Sequence, residues 1–163
     1  MLMFCGQQIT EEGCTLKYIV VLALAGGLMA AGSGGVDIYT PHELQGMTQK
    51  LAQKGGQFAS ENLVKYSNHY TMLAYRKTTG SAEVHEQEAD FFVIESGEGT
   101  LVTGGKVLNP RTEKPGEIRG SSISGGDRRP VASGDIVHIP AGTPHQLLVA
   151  KPISYFVIKV TGQ

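Results

Sequence analysis

The sequence predicts an all-β domain, a sandwich or barrel of short strands preceded by one short helix. Three observations lead there. Runs rich in Val, Ile, Tyr, Thr and Phe recur at close spacing from Asn62 onward, which is the signature of strands. Turn signals separate them, among them Thr79-Gly80-Ser81, Gly97-Glu98-Gly99 and Pro140-Ala141-Gly142, where glycine and proline interrupt regular structure. The 163 residues include 22 glycines and no tryptophan, with 18% charged and 40% hydrophobic residues, the composition of a single turn-rich globular unit. Closing the sheet would remove its exposed edges, so a barrel is expected. A domain of about 130 residues buries roughly two-thirds of its unfolded surface, enough for a real core.

In chain order, an address comes first. Lys17 precedes Tyr18 to Ala31, a run of 14 residues without charge that ends in Ala30-Ala31-Gly32-Ser33. Charge, apolar run and small residues in that order predict a secretory signal. The run is shorter than the about 20 apolar residues that span a bilayer. Residues 1–33 are therefore read as an upstream leader plus signal peptide and residues 34–163 as the domain. The expected location is periplasmic or secreted, with no stable membrane insertion after cleavage. Cys5 and Cys14 both precede the cut, so the exported chain is expected to have neither disulfides nor thiolate metal sites. A net charge of −1 gives no reason to expect nucleic acid as a partner.

Thr40 followed by Pro41 reads as a helix N-cap with proline in the first turn; Leu44, Met47 and Leu51 give the helix an apolar stripe up to Lys54, and Gly55-Gly56 ends it. Strands are expected at 62–66, 68–76, 82–85, 90–95 and 99–103. Residues 104–133 are dense in Gly, Pro, Ser and charge and are expected to form a long excursion with one irregular hairpin over 118–123. Strands resume at 135–139, 146–149 and 154–160. Among Tyr75, Phe92, Tyr155 and Phe156, strand parity alone does not say which face inward.

The segment Gly134 to His145, GDIVHIPAGTPH, sets a strand, a Pro-Gly turn and a histidine at fixed spacing. Gly134, five residues, Pro140, one residue, Gly142, two residues and His145 resemble the second motif of the cupin superfamily. That family ends the motif with an asparagine where Val149 stands. The resemblance implies a cupin-type double-stranded β-helix, a jelly-roll barrel, over about residues 80–160, with His145 as a metal ligand. The family's first motif falls on Glu83, His85, Asp90 and Gly97; Glu83 stands in place of a histidine and Asp90 in place of a glutamate. Relatives are commonly dimers, so a homodimer is expected.

The resemblance implies His85, Asp90, His145 and Glu83 as ligands of one ion. Parity allows the set, since Glu83 and His85 share one strand face and Asp90, Phe92 and Ile94 another. Two ligands are expected from one strand, one from its neighbour and His145 from across the barrel. Asp90 lies in an apolar strand, where an unpaired buried carboxylate is costly, so a metal or a basic partner is expected there. Imidazole with carboxylate suits a divalent iron, manganese, zinc, nickel or copper ion. Glu83 and Glu88 compete for the inward position, and either is a candidate general base. His138 and His69 have no specific support, and His42 belongs to the solvated side of the helix. Arg111, Arg128 and Arg129 are expected in solvent, with a minor alternative that one folds over the barrel mouth to meet a substrate carboxylate.

Three functional readings follow. The first is a metal-dependent enzyme acting on a small molecule in the barrel, of dioxygenase or of isomerase, lyase or decarboxylase type. The second is a non-catalytic binding protein for a small molecule, and the third a metal-free structural barrel. The glycine clusters precede no helix, so they make no phosphate site. No Gly-x-Ser-x-Gly elbow supports covalent hydrolysis.

Overall fold

The computed structural model describes residues 35–162; the expected signal segment, residues 1–33, lies outside them. The helix α1 spans Pro41–Gln53 and is followed by β1 (Phe58–Lys65), β2 (His69–Arg76), β3 (Ala82–His85), β4 (Glu88–Ser96), β5 (Glu98–Thr103), β6 (Lys106–Leu108), β7 (Arg111–Lys114), β8 (Glu117–Gly120), β9 (Ser122–Ser124), β10 (Asp127–Ala132), β11 (Ile136–Ile139), β12 (His145–Leu148) and β13 (Ile153–Thr161). Two antiparallel sheets face each other. One has the order β1-β2-β13-β4-β11 and the other β10-β5-β12-β3-β8-β7, while β6 and β9 form a separate ribbon.

The helix forms where expected. Thr40 accepts a hydrogen bond from the Glu43 amide at 3.3 Å, and Glu43 accepts one from the Thr40 amide at 2.9 Å, a reciprocal capping box. Leu44 and Leu51 are buried against Leu73, with Tyr75 and Phe156 packed beside them. Each buried leucine contributes about 1.5–3 kcal/mol relative to exposure. The helix thus covers the outer face of the first sheet.

Parity on those strands then fixes the inner face. Phe156 pairs with Leu73 and Tyr155 with Ala74, so the alternate residues Ala74, Tyr155 and Val157 point between the sheets, where they join Phe92, Ile94, Leu101, Val131, Ile139 and Leu147. Phe92 and Tyr155 are therefore the inward aromatics, and Tyr75 and Phe156 face the helix.

Two expectations are corrected. The sheets do not close into one hydrogen-bonded barrel: β1 and β11 are edges of one sheet, β10 and β7 of the other. In the second sheet, charge and proline manage these edges instead. Each residue of β7, Arg-Thr-Glu-Lys, is exposed, and β10 carries Pro130 and is exposed except at Val131. The segment 104–133 is also no irregular excursion, since it contributes β6 to β10. Edge strands facing solvent carry charge where a buried strand carries apolar residues, which hid them from a search for apolar alternation. The β6–β9 ribbon packs Ile123 and Val107 onto Ala82, Val102 and Leu148, covering the outer face of the second sheet.

Candidate metal centre

The β11–β12 connection builds the first half of the site. Gly134 and Gly142 adopt positive φ angles of 93° and 75°, a region open to glycine at little cost. The Thr143 amide donates to the Pro140 carbonyl at 3.2 Å, and the Gly142 amide donates to the His85 carbonyl at 2.7 Å. The turn is therefore tied to the end of β3. His145 opens β12 opposite Glu83, and directly opposed residues on antiparallel strands bring their side chains together.

The second half comes from the register of β3 and β8. Glu83 lies opposite Arg119, and His85 opposite Glu117. Period-two alternation then sets Glu83, His85, Glu117 and Arg119 on one face. His85 Nδ1 lies 2.7 and 2.8 Å from the two oxygens of Glu117. Arg119 Nη2 donates to Glu117 at 2.9 Å, and its Nη1 pairs with Glu83 Oε1.

Asp90 reaches the same place from the facing sheet. It is 2% exposed and lies on β4 beside Lys159 of β13, whose Nζ donates to Oδ1 at 2.6 Å. The basic partner expected for this carboxylate is thus Lys159. Its other oxygen, Oδ2, lies 3.4 Å from His85 Nε2 and 3.5 Å from His145 Nε2. Glu83 Oε2 lies 3.4 and 3.9 Å from the same two nitrogens. The predicted arrangement is therefore reversed: His145 is on the strand next to Glu83 and His85, and Asp90 comes from across the sandwich.

The tautomers follow from the hydrogen bonds. His145 Nδ1 donates to the Thr143 carbonyl at 3.0 Å, and His85 Nδ1 faces the Glu117 carboxylate. In the neutral form of each ring this leaves the Nε2 lone pair pointing inward. Both Nε2 atoms are buried and have no hydrogen-bond partner among the described residues. Buried nitrogen lone pairs facing carboxylate oxygens repel, and a cation between them turns each repulsion into attraction. Glu83, His85 and His145 offer ligand atoms within 4.8 Å of one another. Two imidazoles with carboxylate oxygens suit a divalent first-row ion, so the residues fit the expected metal.

The electrostatics divide these groups. Burial opposes the charge on Glu83, but His85, Arg119 and His145 outweigh it and hold the carboxyl down at about 2. Such a group holds an ion well and takes up a proton poorly near neutrality. Burial lowers His145 below its ordinary value. Burial also opposes charge on His85, yet Glu83, Asp90 and Glu117 together raise it above its ordinary value.

A cavity of about 220 Å³ opens beside the centre, lined by Glu83, Asp90 and His145, by Arg76, Arg119 and Lys159, and by apolar residues including Phe92 and Leu147. Glu88 is half-buried at the start of β4; it accepts from the Tyr70 hydroxyl at 3.4 Å and lies 3.9 Å from Lys159. It forms a second acidic group with His85 and Glu117 and does not line the cavity. His69 stacks on Tyr66 and His138 on Phe91, both away from the centre, and His42 is exposed. Arg111 and Arg129 pair with Glu113 and Asp127 at the surface, and Arg128 is exposed. Glu117, Arg119, Lys159 and Arg76 are not singled out by any motif in the sequence. The alternation Glu117-Ile118-Arg119 was the available signal, complementary in charge to Glu83-Val84-His85.

No family model matches the sequence, and no curated protein matches it. Solved structures do match in fold. A protein with a double-stranded β-helix domain from Klebsiella pneumoniae superposes with a TM-score of 0.54 at 14% identity, over 79% of this chain and 93% of that one. A cupin superfamily protein from Desulfitobacterium hafniense gives 0.48 at 13% identity, over 65% and 79%. The DMSP lyase DddQ from Ruegeria pomeroyi gives 0.47 at 18% identity over 64% of this chain, which spans 47% of that protein. The chain has the double-stranded β-helix fold of the cupin type.

Proposed function

We propose that this protein holds one divalent transition metal ion on His85, His145, Glu83 and Asp90 and acts as a metal-dependent enzyme on a small molecule in the adjoining cavity. The observation that carries this reading is the pair of buried, unpartnered Nε2 atoms aimed at the same two carboxylates. When bound, such an ion supplies Lewis-acid polarisation of a substrate oxygen or, as iron, open positions for substrate and oxygen. Every other contribution comes from the chain. Glu117 and the Thr143 carbonyl fix the ring orientations, as partners behind metal-binding histidines do. Arg119 holds Glu83 and Lys159 holds Asp90, which keeps both carboxylates in place. Phe92, Leu147 and Val157 form an apolar wall that strengthens charge interactions inside. With Glu83 committed as a ligand, Glu88 is the remaining candidate base among the two proposed from the sequence; it would reach the site through a rearrangement near Tyr70.

Metal analysis of protein purified without a histidine tag tests this reading. One equivalent of a first-row metal is expected, lost in the double variant His85→Ala, His145→Ala; metal retained by that variant contradicts the site. Turnover of a panel of small acids, phenols and sugars by the loaded protein separates an enzyme from a binding protein, which would return its ligand unchanged. We also propose export after removal of residues 1–33, and a homodimer. An intact mass starting near Ser33 or Gly34 and a light-scattering mass of twice the chain are the expected results.

A further inference from the structure

Three cationic side chains border the cavity beyond the histidines, and two are already occupied. Arg119 is held by Glu83 and Glu117, and Lys159 by Asp90. Arg76 has no carboxylate partner among the described residues, although Arg111, Arg119 and Arg129 all do. Its placement is nonetheless well determined. Nε donates to the Tyr155 hydroxyl at 3.3 Å, and the guanidinium carbon lies 4.6 Å from the centre of the Phe58 ring, a cation–π contact.

A glycine completes the seat. A Cβ at Gly80 would lie 2.2 Å from Nη1 and 2.6 Å from Cζ of Arg76, closer than any side chain permits. Gly80 does not adopt a positive φ angle, so its backbone conformation is one that other residues adopt. The missing side chain makes room for the guanidinium. Tyr155, which holds Arg76, packs on Phe92 at 5.1 Å between ring centres, and Phe92 packs on His145 at 6.5 Å. A continuous wall therefore runs from Arg76 to the metal-binding histidine.

We propose that Arg76 anchors a carboxylate of the molecule bound in this cavity, so that small carboxylic acids are its substrate class; this rests on the metal-site reading above. A guanidinium whose Nη groups make no hydrogen bond to the described residues matches a carboxylate through two parallel hydrogen bonds. The charges support the same choice: two carboxylates and three cations line the cavity, and a divalent ion would add to that positive excess. At about 220 Å³ the cavity is smaller than the roughly 300–1,000 Å³ of drug-sized pockets. It suits a short acid with an aliphatic body against Met72, Leu147 and Val157.

Propionate and its neutral isostere propionamide test this by calorimetric titration of the zinc-loaded protein, with zinc content measured for every variant. Propionate is expected to bind and propionamide to bind at least tenfold more weakly. Arg76→Gln should weaken propionate about tenfold to a hundredfold, the usual worth of a charged hydrogen-bonded pair, with zinc content unchanged. Gly80→Ala, which displaces the guanidinium without removing it, should weaken propionate in the same direction and serves if Arg76→Gln does not fold. Propionate binding unaffected by both substitutions would place the acid on zinc alone and overturn the assignment, as would no propionate binding to the wild type. If the wild type takes up no zinc, the metal reading fails by itself. The titration is then run on the metal-free protein: Arg76-dependent propionate binding upholds the anchor, and its absence overturns it.

Discussion

The two central histidines present the same atom to the same place and are held there by different means. His145 is fixed from within its own turn, through a backbone carbonyl two residues away. His85 is fixed by Glu117, 32 residues further along the chain. A neutral carbonyl leaves burial dominant, and the His145 ring is shifted toward its neutral form. Carboxylates around His85 overcome the same burial and shift it toward the charged form. His145 is thus ready for an ion, whereas His85, made more basic by Glu83 first and by Asp90 and Glu117 after it, must first release a proton.

The largest expected effect comes from removing either ring. His85→Ala or His145→Ala should each weaken zinc binding by at least about a hundredfold, beyond the loss typical of residues that only orient ligands; competition with a chromogenic chelator measures this. A smaller effect at His145 than at His85 would break the symmetry of the two Nε2 atoms. Glu117→Gln comes next, with zinc affinity falling about tenfold to a hundredfold. It should also move the pH profile, which a merely structural role would not.

The direction of that profile follows from His85. Its value is raised in the folded, metal-free protein, so below that value an entering ion must displace one proton. Zinc affinity should therefore rise with pH by about tenfold per unit and level off once the ring is neutral. Glu117 is one of the groups that raise His85, so Glu117→Gln should shift the levelling-off point to lower pH. A profile that levels off at the same pH in both proteins would remove Glu117 from this role. The smallest effect on the site is expected from the far side of the sandwich. Leu51→Ala should cost about 2–5 kcal/mol of stability in a denaturant titration while leaving one equivalent of zinc bound to the folded protein.

The same contrast decides how much could be read from the sequence. Strand, glycine turn and histidine are contiguous in Gly134 to His145, so both the fold and His145 were legible there. The capping box at Thr40 is equally local, and the helix was legible with it. Glu117 and Arg119 act through the register of β8 on β3, a long-range pairing inside a segment that looked irregular because its neighbours β7 and β10 are charged edges. Asp90 was legible as a buried acid in need of a partner, but Lys159 was not, because its pairing depends on β13 lying beside β4. Which sheet each of these side chains comes from is hidden from the sequence for the same reason. Parity within a strand is local, and sheet membership is not.

The central claim is that one ion sits between the two Nε2 atoms, and nitrogen NMR of ¹⁵N-histidine-labelled, zinc-loaded protein tests it most directly. One zinc per chain is expected, with the Nε2 signals of His85 and His145 both moved by zinc while both Nδ1 atoms keep their protons, toward Glu117 and the Thr143 carbonyl. Zinc bound through either Nδ1, or spectra unchanged by zinc, would contradict it.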